Sequence, residues 1–468
     1  MNPVRESRYV DLLQSIQAGL LSEPAFLRPP SSYQSELEIQ SLWFSGQFGR
    51  EFTTTDGRPV RIKQFGEWNR CAGPDFQQVA VEIDEEIRHG SLELDTSPLD
   101  WEHHGHSTNA DYDEVCLHVC MEDDAGRQSF TRTSKHQLVP RVVLSNEALS
   151  QALNQPRYAQ ALSHPGRCST PLADFTPESI ESLLQAAARH RMRRKALRYS
   201  RSEDAHGSDE SLYQAIASCL GYQPNQTNLL CLAQRVPLST LRSRPGMAES
   251  LLFGAAGFLN PQIHEKASDE SRDYLRQLWE NWWKYRDEFL ADESRLIPWH
   301  FAGLRPVNHL HRRLGALACL VDDWDAFRAV CRKATDDTKP LVDYVANLRH
   351  PHWSHHYTLN SARATKPIAI LGAQRAKDFL INYLFPRRLL QEESVWNQYL
   401  DLRAAAPDQK VKRALVRLMG PREDAKDFTR FAWQQQGLLQ VYQDFCLNDH
   451  SDCQECPFPE QLRQWSDR

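Results

Sequence analysis

The feature that most constrains this chain is a change of hydrophobic period near Pro171. Before it, apolar residues alternate as in strands; beyond it they recur every three to four positions, as on helices. Val79, Val81 and Ile83 alternate, as do Leu92 and Leu94, and VCLHVCME is a strongly apolar strand. TTTDGRPVRIKQFGEW reads as a strand pair around an Asp56-Gly57 turn. QQVAVEIDEEIRHGSLELD reads as a β-hairpin with its turn near Arg88–Gly90. Ahead of these strands, SELEIQSLWFSGQF places Leu37, Leu42, Trp43 and Phe48 on one helical face behind a Ser35 cap. Past Pro171, ESIESLLQAAARHRMRRKALRYSR opens a long run of helical segments. The pattern predicts an α/β (α+β) domain over residues 1–165, a mainly α-helical region over 166–440 and a Cys/His-containing tail over 441–468.

No run of about 18 apolar residues is present, and the first residues carry no apolar signal core, so no membrane partner and a cytoplasmic location are expected. The eleven cysteines do not form a disulfide scaffold: eight are scattered, mostly in apolar surroundings, and read as buried thiols. Charge is uneven. Residues 1–170 hold 24 Asp+Glu against 15 Lys+Arg, and the remainder holds 37 against 40. An acidic first part suits a carboxylate site for a divalent cation, and a mildly basic remainder suits an anionic substrate.

Chemistry concentrates around Gly73-Pro74-Asp75-Phe76 and the Glu93 that follows in SLELD. Carboxylates on adjacent strands of a hairpin can converge on one cation, and hard oxygen ligands suit Mg2+ or Mn2+. Such an ion polarises a phosphodiester and lowers the pKa of bound water. Asp-hairpin-Glu in this order resembles the PD-(D/E)xK nuclease superfamily. The resemblance implies a restriction-endonuclease-like mixed sheet, with Asp75 and Glu93 as metal ligands and a glutamate on the preceding helix as a third, Glu36 ahead of Glu38. It also implies a lysine two residues after Glu93, where this chain carries Asp95. Asp95 then stands as a third carboxylate, with Lys63 or a loop histidine orienting water. A wider set of strings, GEWNRCAGPDF, LELD, DWEHHGH, YDEVCLHV, LGYQPN, LLFGAAGFL, LRPVNHLHRRLGALA and LINYLFP, is similar to a bacterial family described as domain of unknown function 2851. That family usually carries His where Asp95 stands.

A His-rich loop follows the hairpin, with His103, His104 and His106, and His118 lies on the next strand. His106 and His118 are the preferred members beside the carboxylates, as ligand, acid or phosphate contact, and the H-x-H or H-x-x-H spacing also suits zinc. Trp101 and Tyr112 read as packing residues. Arg191, Arg194, Lys195 and Arg198 lie on a basic helix that can track a phosphate backbone or pair with its own acids, and Arg305 and Arg312 form a second polar cluster that serves an anion or caps a helix. The aromatic run WENWWKY reads as core. In the tail, Cys446, His450, Cys453 and Cys456 have structural-zinc spacing, with an iron–sulfur set as the alternative.

These features lead to one expectation and two rivals. The expectation is a metal-dependent phosphodiesterase acting on DNA or RNA through Asp75 and Glu93, with Asp95, His106 and His118 contributing. The rivals are a catalytically inactive module on the same fold that binds nucleic acid or a protein, and a hydrolase built on a zinc site of the loop histidines.

Overall fold

The computed structural model describes residues 7–14, 36–44, 46–69, 73–121, 130–153, 170–289, 296–301, 304–420 and 422–447, together with Phe458, Leu462 and Trp465. Helix α1 (residues 7–14) precedes α2 (Glu36–Phe44), and strands follow: β1 (Glu51–Thr53), β2 (Pro59–Gln64), β3 (Glu67–Trp68), β4 (Phe76–Ile83) and β5 (Glu86–Asp95). A short helix α3 (Asp100–His103) and two 3-10 turns lead to β6 (Val115–Met121) and β7 (Arg141–Leu144), then α4 (Asn146–Leu153).

The seven strands form one mixed sheet ordered β1-β2-β4-β5-β6-β7, with β3 paired to β4 off this path. The β1 to β5 pairings are antiparallel; β5–β6 and β6–β7 are parallel. A bridge between Thr54 and Val142, with Thr55 N–H donating to Arg141 C=O at 2.8 Å, brings the two edges together, so the sheet is nearly barrel-like. Inside lie Val81, Ile83, Leu92, Leu94, Leu117 and Val119, packed against Ile39, Trp43 and Phe44 of α2. Successive strand residues face opposite ways. With Leu92 and Leu94 turned inward, Glu93 and Asp95 face the other side of the sheet.

Two expectations change in detail. The β4–β5 turn is at Asp84-Glu85, both at positive φ (52° and 66°), and not near Arg88–Gly90. Paired φ > 0 residues make the tight turn that matches strand twist, and Arg88 pairs in register with Val81 instead. In WENWWKY, Trp282 is buried and Trp279 half-packed, but Trp283 is 55% exposed with Arg286 stacked over its ring.

From residue 170 onward the described chain is helical. Helix α5 (Pro177–His206) starts on the Thr176 cap with proline in its first turn and stops at Gly207. It is followed by α6 (Ser208–Leu220), α7 (Tyr222–Arg235), α8 (Ala248–Ala255), α9 (Asp269–Trp283), α10 (Leu310–Asp322) and, late in the chain, α11 (Ala432–Tyr442), with further helices between them. One core runs through this region, from Tyr9 of α1 to Trp465. Polar contacts tie it to the sheet part. Ser41 Oγ donates to Gln234 Oε1 at 2.6 Å, Gln234 Nε2 donates to Ser41 C=O, and Arg50 donates to Asp204 C=O near the end of α5.

Candidate functional site

Asp75 is delivered by a turn that only certain residues permit. Gly73 sits at φ +105°, a region that side chains rarely adopt, and Pro74 fixes the next residue. Asn69 holds this segment twice: its N–H donates to Asp75 C=O and its Nδ2 to Pro74 C=O. Asp75 is buried just ahead of β4. Its N–H donates to Glu93 Oε2 at 2.9 Å, while its own Oδ2 accepts from Leu94 N–H at 3.1 Å. This reciprocal latch fixes two carboxylates from neighbouring strands beside one another, and a charged acceptor makes each bond stronger than a neutral one.

Asp95, two residues on, faces the same way and is 1% exposed. Three imidazoles surround it. His118, wholly buried on β6, places Nε2 3.2 Å from Asp95 Oδ2, and its Nδ1 is 2.7 Å from Thr131 Oγ1. His104 Nδ1 is 3.4 Å from Asp95 Oδ1. His106 Nδ1 is 4.0 Å from Asp95 Oδ2 and 3.6 Å from Glu93 Oε1. Ligand atoms of Asp95, His104 and His106 all lie within 4.8 Å of one another, so these three can hold a metal ion.

The loop between β5 and β6 makes this possible. Gly105, at φ +74°, turns the chain between His104 and His106. His106 stacks on Tyr112 at 4.0 Å and meets Trp101 edge-on. Trp101 is anchored by its Nε1–H donating to Arg132 C=O, and it packs with Tyr112, Val115 and Val139. Both aromatic residues are packing residues here. Burial pushes the His106 imidazole down to about 4, against a smaller upward pull from Asp95, so it is neutral at pH 7 with a lone pair on one ring nitrogen.

The remaining predicted residues divide. His103 is exposed and lies beside Asp100, not Asp95. Glu36 accepts from Gln40 on its own helix. Lys63 lies 2.6 Å from Glu82 on the neighbouring strand. Arg312 is fully buried on α10, donating to the carbonyls of Trp353, His356 and Ala369. Arg191 bonds Gln436, Gln440 and Gln443, and Lys195 bonds Asn382 and Gln436, with burial holding its amine well below the usual lysine range. Arg194 lies 3.9 Å from Asp444, and Arg198 packs its guanidinium over Tyr199. These four basic residues of α5 are half-buried against the protein's own helices, and Arg305 alone of the six is exposed. The zinc expectation at Cys446, His450, Cys453 and Cys456 concerns side chains outside the described residues. The residue underweighted in sequence was His104; the His104-Gly105-His106 spacing was its signal.

Neither the curated proteins nor the solved structures include one that matches this chain significantly. A family model does match, over residues 36–410, which takes in the whole carboxylate–imidazole centre and most of the helical region. The chain therefore belongs to the family described as Protein of unknown function (DUF2851).

Proposed function

We propose that the protein is a divalent-cation-dependent phosphodiesterase acting on DNA or RNA, with Asp75 and Glu93 as the core of its site. The observation that carries this reading is the reciprocal latch. Each carboxylate is aimed by a backbone N–H of the other's strand, so the pair is positioned before any ligand arrives. Antiparallel β2, β4 and β5, followed by a crossover to parallel β6, support the likeness to a PD-(D/E)xK core. A Mg2+ or Mn2+ ion there would neutralise charge developing on phosphorus and lower the pKa of an attacking water. The protein's own part is to hold the two acids, and Asp95 behind them, in a largely desolvated wall that leaves few competing waters. Of the basic residues of α5, Arg191 and Lys195 direct their hydrogen bonds to the protein's own side chains, which leaves the substrate surface to be sought elsewhere.

The test is cleavage of end-labelled single- and double-stranded DNA and RNA with Mg2+ or Mn2+. Asp75→Asn and Glu93→Gln are expected to lower the rate on the order of 100-fold or more, with the fold retained by circular dichroism. Cleavage that ignores both substitutions sinks the assignment. The absence of a lysine beside the pair, with Lys63 held on Glu82, favours the second reading, an inactive binding module. Nucleic-acid binding without cleavage under any cation would select it.

A further inference from the structure

The buried wall beside Asp75 and Glu93 contains an unresolved polar account. Asp95 Oδ2, His106 Nδ1 and His118 Nε2 are buried, and none has a hydrogen-bond partner. The 3.2 Å approach of His118 to Asp95 lacks the alignment of a hydrogen bond. Orphaned buried polar atoms are costly one by one, and three converging on one point mark a place where something else completes them.

We infer that Asp95, His104 and His106 form a nitrogen–oxygen site for a transition-metal cation of the zinc class, adjacent to the Asp75–Glu93 pair and different from it in chemistry. The donor set decides the class. Two imidazoles and one carboxylate suit Zn2+, Co2+ or Fe2+, whereas Mg2+ and Ca2+ select oxygen. Ligands at bond lengths of about 2.0–2.2 Å on a tetrahedral ion lie roughly 3.3–3.5 Å apart. His104 Nδ1 is 3.4 Å from Asp95 Oδ1 and His106 Nδ1 4.0 Å from Asp95 Oδ2, and one donor of each of the three residues lies within 4.8 Å of the others, so small side-chain turns reach that spacing. Three protein ligands leave a coordination position open, and His104, on the exposed side of the loop, is the ligand nearest solvent. Behind the ligands, Thr131 Oγ1 holds His118, whose ring lies 3.2 Å from Asp95 Oδ2 and limits how far that carboxylate can turn. Thr131 and His118 are thus positioning residues, acting through Asp95. The site stands on this geometry alone and does not depend on the phosphodiesterase reading.

Cobalt titration of the full chain tests it, in a Cys453→Ser/Cys456→Ser background so that tail thiols do not compete. The expected result is one Co2+ per chain, retained in millimolar Mg2+, with visible ligand-field absorption and no thiolate charge-transfer band. His104→Ala, a half-exposed change that leaves the core intact, is expected to weaken binding at least 10-fold, and Asp75→Asn to leave it unchanged. Thr131→Val is expected to weaken it about 10-fold, with Thr131→Ser restoring it. No bound cobalt, or cobalt bound equally by the parent and by His104→Ala and His106→Ala, overturns the inference. Cleavage assays play no part in this outcome, so failure here and failure of the phosphodiesterase reading are separable.

Discussion

Asp95 is a third buried acid close to Asp75 and Glu93, and its neighbours explain how it fits in so tight a space. Imidazoles, not ammonium groups, surround it, and burial keeps His106 neutral. Other buried histidines lie far along the chain, among them His311 on α10 and His352 after it. His311 accepts from Leu359 N–H, and His352 is stacked between Tyr274 and His356. Burial pushes each down to about 3, against about 6.5 unfolded. Because the folded value is the lower, their stabilisation is complete above about pH 6.5 and is lost as pH falls toward 3, at roughly 1.4 kcal/mol per pH unit for each. Urea midpoints are therefore expected to drop between pH 7 and pH 5, while most carboxylates stay ionised. His352→Gln is expected to flatten that slope; an unchanged slope in the variant would show that His352 does not titrate with unfolding. Asp75 and Glu93 were legible in sequence because a hairpin sets their offset. His104 was less so, since only the Gly105 turn shows that it shares a side with His106.

Among elements, α5 and α11 cross with their backbones in close approach at Gly437. A Cβ added at Gly437 would come within 2.3 Å of Leu184 C=O, a backbone atom that cannot swing aside. Gly437→Ala is expected to destabilise by about 1–3 kcal/mol, read as a lower urea midpoint; a neutral effect would mean that the crossing is looser than described. The same crossing shows what part of the basic helix packs against. Arginines at helical spacing suit a phosphate backbone, yet Arg191 meets glutamines of α11 and the turn after it about 250 residues later. Periodicity reports that a helix has a polar stripe, not what covers that stripe. The β4–β5 turn lies elsewhere than its glycine suggests: Asp84-Glu85 adopts positive φ with Asp84 as its one turn-favouring residue, while Gly90 sits inside β5.

At the scale of the molecule, the sheet part and the helical part share contacts that make them one unit. Gln234 is 1% exposed on α7 and exchanges two hydrogen bonds with Ser41 of α2, and the imidazole of His206 bonds Phe44 C=O. Gln234→Ala would remove both of these buried hydrogen bonds, at a cost of about 1–3 kcal/mol. The account expects one calorimetric transition in the parent and a lower one in the variant. Two separated transitions in the parent would contradict a shared unit. The change of period near Pro171 foretold this division into strands and helices, but not the near-closure of the sheet, which depends on Thr54 meeting Val142 across 88 residues of sequence separation.

The most direct measurement is anomalous diffraction from crystals soaked in Mn2+, an ion that both oxygen and imidazole ligands accept. The expected result is a peak on the outer face of β5, within about 2.0–2.6 Å of oxygens or ring nitrogens from Asp75, Glu93, Asp95, His104 or His106. Manganese ordered elsewhere, with none on this face, would contradict it.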